Sequence, residues 1–157
     1  GAGTTLDIPA LPASIFSVFE TDVDHVIFDT GGDDAGVTAL GRFSGRIKEA
    51  GEYAMLYVVN DYGVLTPPAE EEVALLGESE AASGRKAPGI VNNSHLSRQT
   101  TAADVLASVP FADEVSRLTG LPVLFTTAPP AAANELAGRI GNILEAQIYV
   151  KFPWENS

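Results

Sequence analysis

Short continuous apolar runs alternate along the chain with longer stretches in which apolar residues recur every three or four positions. The first pattern suits strands buried on both faces and the second suits helices with one buried stripe. Runs at Val23–Asp29, Tyr53–Asn60, Gly89–Asn93 and Leu121–Thr127 are read as four strands. Between them, Val37, Leu40, Phe43 and Ile47 share one helical face, with Arg42, Arg46, Lys48 and Glu49 mostly elsewhere and Gly51 as the stop. Pro67-Pro68 opens a second helix, whose early Glu70, Glu71 and Glu72 suit its dipole. Thr101 and Asp104 have the spacing of a capping box ahead of the stripe Ala102, Val105, Leu106 and Val109. Pro110 interrupts that stripe and Phe111, Val115 and Leu118 resume it up to Gly120, which predicts two helical pieces or a kink. Pro129-Pro130 starts a last helix with Leu136, Ile140, Ile143, Leu144 and Ile148 inward. At the amino end, Thr5–Ile8 reads as a short strand and Ser14–Glu20 as a short helix presenting Ile15, Phe16 and Phe19.

Strand and helix therefore take turns, with no hairpin signal between strands. This predicts an α/β fold with a mainly parallel sheet and helices on both faces. The polar ends of the strands should then share one edge, where open α/β sheets bind ligands.

Composition narrows the picture. The 157 residues suit one domain over 1–157, and 45% hydrophobic content supports a packed core. A net charge of −12 repels phosphate backbones, so nucleic acid is not expected as a partner. No apolar run is long enough to span a bilayer, and the absence of cysteine excludes thiolate chemistry and fits a cytoplasmic setting. The start Gly1-Ala2-Gly3-Thr4-Thr5, without Met, reads as an internal start or an expression scar.

The most informative stretch is Val23–Gly36, a hydrophobic run ending in Asp29 and turning through Gly31 and Gly32 into a helix near Asp33 and Asp34. Four readings fit it. Asp29 can be a Walker-B-type acid holding a magnesium-bound water beside a glycine loop. Asp29-Thr30-Gly31 can be an aspartic-protease triplet, although a helix follows and no second triplet occurs. Asp29 can accept a phosphoryl group at a strand end, or the segment can be a plain glycine turn with an acidic helix cap. His25 and His95 have no metal-ligand spacing. Asn92, Asn93 and Thr126-Thr127-Ala128-Pro129, at other strand ends, can bond a purine base or cap their own turns.

Asp7-Ile8-Pro9-Ala10-Leu11-Pro12, followed by His25–Gly36 and Leu40-Gly41-Arg42-Phe43, resembles the later part of MinD/ParA-like P-loop ATPases, the CobQ/CobB/MinD/ParA nucleotide-binding group. The resemblance implies a three-layer α/β/α domain of P-loop NTPase-like, SIMIBI-type architecture that lacks the P-loop strand. It implies Mg-ATP as cofactor, with Asp29 in the Walker B place as metal holder and, with Asp33, as the catalytic pair. Gly31 and Gly32 take the place of the second switch, with Asp34 beside them, and Asn92 takes that of the adenine-reading asparagine. Asn93 is adjacent and can substitute, with Thr127 and Pro129 in the base-side loop. Relatives pair as homodimers across the nucleotide. No G-x-x-x-x-G-K-[ST] occurs: Gly45-Arg46-Ile47-Lys48 and Gly84-Arg85-Lys86 lack the following Ser or Thr and the upstream glycine. The chain is thus expected to be the carboxyl-terminal part of a longer ATPase, missing its first strand and P-loop, or a homologue that has lost them, and inactive by itself. Two other classes stand beside this one, a non-catalytic interaction or self-association domain and an aspartate-based phosphoryl-transfer domain.

Overall fold

The computed structural model describes residues 13–31, 34–62, 68–94 and 97–149, so the Thr5–Ile8 and Asp7–Pro12 segments, Gly32, Asp33 and His95 lie outside the described residues. Those described fall into two compact units, one drawn from 1–53 with 77–85 and the other from 54–76 with 86–157.

In the first unit a 3₁₀ helix, Ala13–Glu20, precedes α1, Asp34–Ala50. Helix α1 keeps the expected stripe, with Phe43 buried and Arg42, Arg46, Lys48 and Glu49 exposed. The strand expected over Val23–Asp29 does not form: residues 23–31 have no regular structure. Ile27 is 91% exposed, and Val23 and Val26 are exposed as well. Only Phe28 is drawn inward, stacking on Phe19 at 5.6 Å and on Phe43 at 6.0 Å, while Phe16 lies 5.0 Å from Phe43. An apolar run becomes a strand only where a neighbouring backbone takes up its N–H and C=O groups. Here one ring supplies the anchor instead. Gly36, in the first turn of α1, is required by close approach: a Cβ there would overlap the Gly31 carbonyl oxygen and lie 2.8 Å from the Gly31 Cα.

The second unit holds the sheet. Its strands are β1, Tyr57–Val59; β2, Ile90–Asn92; β3, Val123–Ala128; and β4, Ile143–Glu145. They are all parallel and lie in the order β1-β2-β3-β4. Helix α2, Ala69–Ser83, α3, Ala102–Thr119, and α4, Pro130–Leu136, make the connections. The expected α/β class with a parallel sheet is therefore present.

Each crossover leads to the next neighbour on the same side. Right-handed connections in that order carry their helices to one face. The packing agrees: Val59 of β1 and Ile90 of β2 meet Ala69 of α2 and Ala112 and Val115 of α3. A second cluster joins Ala128 of β3 to Ala102 and Val105 of α3 and to Ala132, Ala133 and Leu136 of α4. Ile90, Val105, Val115 and Leu136 are fully buried, and each such side chain contributes about 1.5–3 kcal/mol.

The capping box forms as read. Thr101 accepts from the Asp104 N–H, and its own N–H donates to the Asp104 carboxylate at 2.8 Å. Pro110 sits inside a continuous α3 rather than dividing it, and the helix ends at Gly120, whose φ of 73° only glycine adopts freely. The last helix is a correction. It stops at Leu136, and Ile143, Leu144 and Glu145 form β4 instead. Among the described residues, no helix is long and apolar enough to cross a membrane.

Candidate functional site

The carboxyl ends of the strands carry the polar residues of the second unit. After β1 the chain turns through Asn60, whose Oδ1 accepts from the Tyr62 N–H at 3.0 Å, as the Asn-Asp turn signature requires. The Asn93 N–H donates to the Val59 carbonyl and extends the ladder one residue past β2.

Strand alternation then separates the two asparagines. Asn92 pairs in register with Val59 and Thr126 and looks toward α3, where its Nδ2 donates to Ser108 Oγ at 3.0 Å. Its Oδ1 accepts from Ser94 Oγ at 2.6 Å and from the Ser94 N–H at 3.3 Å. Ser94 Oγ accepts from the Asp61 N–H at 2.7 Å, and Ser108 Oγ donates to the Val105 carbonyl at 2.8 Å. Asn92, Ser94 and Ser108 are all closed to water. This chain of bonds ties the ends of β1 and β2 to the middle of α3. Every polar atom of the Asn92 amide is engaged within it, so the Asn92 side chain is a structural clamp rather than a surface for a base.

Asn93 lies on the opposite face and is only partly buried. Thr127 Oγ1 donates to its Oδ1 at 2.5 Å, joining the ends of the two central strands. The carbonyl oxygen retains a second lone pair, and among the described residues no partner takes the Asn93 Nδ2. Pro129, half-buried, follows as the residue before α4, and its carbonyl accepts from the Ala133 N–H.

The edge is acidic. Asp61 is pushed above the usual carboxylate range by burial. Burial also raises the Tyr62 hydroxyl, helped by the charges of Asp104 and Asp61, while that hydroxyl donates to the Asp104 carbonyl at 2.6 Å. Asp104 itself is held low by the backbone and hydroxyl bonds from Thr101.

The expected site residues thus divide. Asn92, Asn93, Thr127 and Pro129 come together at adjacent strand ends of the second unit. Asp29 and Gly31 belong to the first unit, exposed, in the segment without regular structure, and Asp34 opens α1. A Walker-B acid needs a carboxylate held rigidly at a strand end, and residues 23–31 provide no strand. Among the described residues, no group of three or more His, Cys, Asp or Glu is placed to hold a metal ion.

Sequence reasoning missed Ser94 and Ser108. Ser108 carried a signal, since it occupies a position between Val105 and Ala112 that the apolar stripe of α3 reserves for a buried side chain. A hydroxyl there needs a polar partner on the sheet.

No protein-family model, no curated protein and no solved structure matches this chain.

Proposed function

We propose that the second unit is the base-binding part of a nucleotide site, read by Asn93 and Thr127 at the carboxyl edge of the sheet. The observation that carries this reading is the Asn93–Thr127 pair. It leaves an amide N–H₂ and a carbonyl lone pair side by side on a partly open strand end, the donor and acceptor that a purine edge requires. The resemblance to MinD/ParA-like ATPases points to adenine, with Asn93 in place of the locked Asn92. The three-layer, P-loop-like arrangement belongs to the same proposal. Mg-ATP hydrolysis lies outside what this chain performs alone, since it has no Gly-Lys-Ser/Thr loop.

Titration calorimetry with adenosine, AMP and ATP, with and without magnesium, tests the reading. Weak saturable binding that is common to all three, independent of magnesium and reduced about fivefold or more by Asn93→Ala is expected, the loss of one good hydrogen bond. Binding that requires the γ-phosphate or magnesium, or that ignores Asn93→Ala and Thr127→Val, refutes it.

A second reading is self-association through the sheet. Val58 on β1 and Leu144 on β4 are 53% and 50% exposed, and among the described residues these are the two outermost strands. Exposed apolar edges are templates for pairing. Concentration-dependent mass in sedimentation, abolished by Val58→Lys, is the outcome this reading requires.

A further inference from the structure

On the α3 face of the second unit a cleft of about 430 Å³ lies between α3 and the turn that joins α4 to β4. Its cause is a mismatch of lengths. Helix α3 has 18 residues and α4 only 7, about 27 Å against about 10 Å, so α4 stops before it has covered the amino-terminal half of β3. Burial on that face records this: Val123 is half-buried, whereas Thr126 and Ala128 are buried. Pro110 lines the cleft from the other side. It offers no N–H to the Leu106 carbonyl.

The geometry points to a second binding site in this cleft, for a zwitterionic amino acid with a large apolar side chain. Asn92 and Thr126 lie beneath the floor but are closed to water. The accessible wall is apolar, formed by Leu106, Val109, Pro110, Val123 and Ile140, and the volume falls within the ordinary range for small-molecule sites. Two exposed charges of opposite sign, Asp113 of α3 and Arg139 of the turn, line the same cleft. Among the described residues neither is in an ion pair; the acidic Glu114 next to Asp113 is taken up by Arg117 at 2.6 Å. The Arg139 backbone is held in place, because its N–H and that of Ile140 both donate to the Leu136 carbonyl. A carboxylate therefore has the exposed Arg139 guanidinium, an ammonium has the Asp113 carboxylate, and an apolar side chain has the wall between. This site does not depend on the nucleotide reading, which concerns the opposite face of the sheet.

The test is an amide-resolved NMR titration of the full chain with phenylalanine, phenylpropionate and phenethylamine, which share the ring and differ in charge. Saturable shifts at Val109, Val123 and Ile140 are expected, with phenylalanine binding about threefold to fivefold tighter than either single-charge analogue, the scale of solvent-exposed ion pairs. Arg139→Gln should weaken phenylalanine and phenylpropionate but leave phenethylamine unchanged. Asp113→Asn should do the reverse with respect to the two analogues. Both side chains are exposed, so both variants keep the fold. No saturable shift with phenylalanine, equal binding of all three compounds, or insensitivity to both substitutions overturns the proposal.

Discussion

The Tyr57 hydroxyl donates to the Glu72 carboxylate at 2.5 Å, with a longer 3.2 Å contact to the Glu72 backbone carbonyl, and so pins β1 to the first turn of α2. Glu72 is only 6% exposed. Burial pushes its carboxyl above the ordinary 4.5, and the bond from Tyr57 pulls it part of the way back. Burial likewise raises the Tyr57 hydroxyl beyond the tyrosine range, helped by the bond to Glu72 and by its charge. Replacing Tyr57 by Phe removes the donor and leaves the carboxylate buried. A hydrogen bond to a charged group is worth about 1.5–3 kcal/mol, so at neutral pH the variant should lose about 2 kcal/mol. For a chain of this size that lowers Tm by about 4–8 °C.

The sign of the pH dependence follows from Glu72. With the folded value raised, the native state holds more protons than the unfolded state between 4.5 and that value. Stability from this group is therefore complete below 4.5 and declines as pH rises through the window. Without Tyr57 the folded value rises further, so the cost of Tyr57→Phe should grow from acid to neutral pH. Below 4.5 the bond is between neutral partners, and the cost should shrink to about 1 kcal/mol or less. Urea unfolding followed by circular dichroism at an acid and a neutral pH measures both. Glu72→Gln removes the charge and keeps an acceptor, so it should be neutral or stabilising at neutral pH and should abolish the pH dependence of the Tyr57→Phe loss. A Tyr57→Phe cost that is equal at the two pH values, or Glu72→Gln more harmful than Tyr57→Phe at neutrality, refutes the reasoning.

Two further outcomes test the local geometry. Gly36→Ala should cost about 1–3 kcal/mol and expose residues 23–31 to protease, because the clash is with backbone that cannot turn aside. Gly45→Ala, in the same helix with nothing within 4 Å, should instead gain up to about 1 kcal/mol; equal effects would show that Gly31 does not press on α1. Thr101→Ala should cost about 1 kcal/mol at neutral pH through loss of the cap. The Thr101 N–H and then its hydroxyl hold Asp104 below the ordinary 3.8, and alanine removes only the hydroxyl, so the Asp104 carboxyl should move part of the way up in an NMR titration and the share of the loss that comes through it should disappear as pH falls through the folded value. An unchanged Asp104 titration would refute the capping-box account.

The parts of the fold that were legible are those where one period dominates. The stripe of α1, the capping box of α3 and the buried run Ile90–Asn92 each have a local signal that tertiary packing did not override. Val23–Asp29 had the signal of a buried strand, but a strand is completed by a partner, and no local pattern records whether one exists. Ile143 and Leu144 continued the three-and-four spacing of Leu136 and Ile140 and so read as helix, since short apolar runs serve either period. The breaks lay in plain view at Gly138, with φ of 79°, and Asn142, with φ of 54°.

For the site the deciding quantity is parity. Asn92 and Asn93 are the same residue type one position apart, and nothing in their identity distinguishes them. The pairing Asn92↔Thr126 turns the first toward Ser108 and leaves the second with Thr127 on the other face. Ile90 and Asn92 share a face by alternation, so the burial of Ile90 against α3 is what turns Asn92 toward Ser108 and leaves Asn93 on the other side, and the register of β2 on β3 sets which residues of β3 stand beside them. That register is set in part by the irregularity between Ile90 and Val91, where Leu124 adds a residue to β3. Without that extra residue Thr126 would stand opposite Asn93, so one residue in a strand that carries no polar side chain at that point is what brings Thr127 to Asn93.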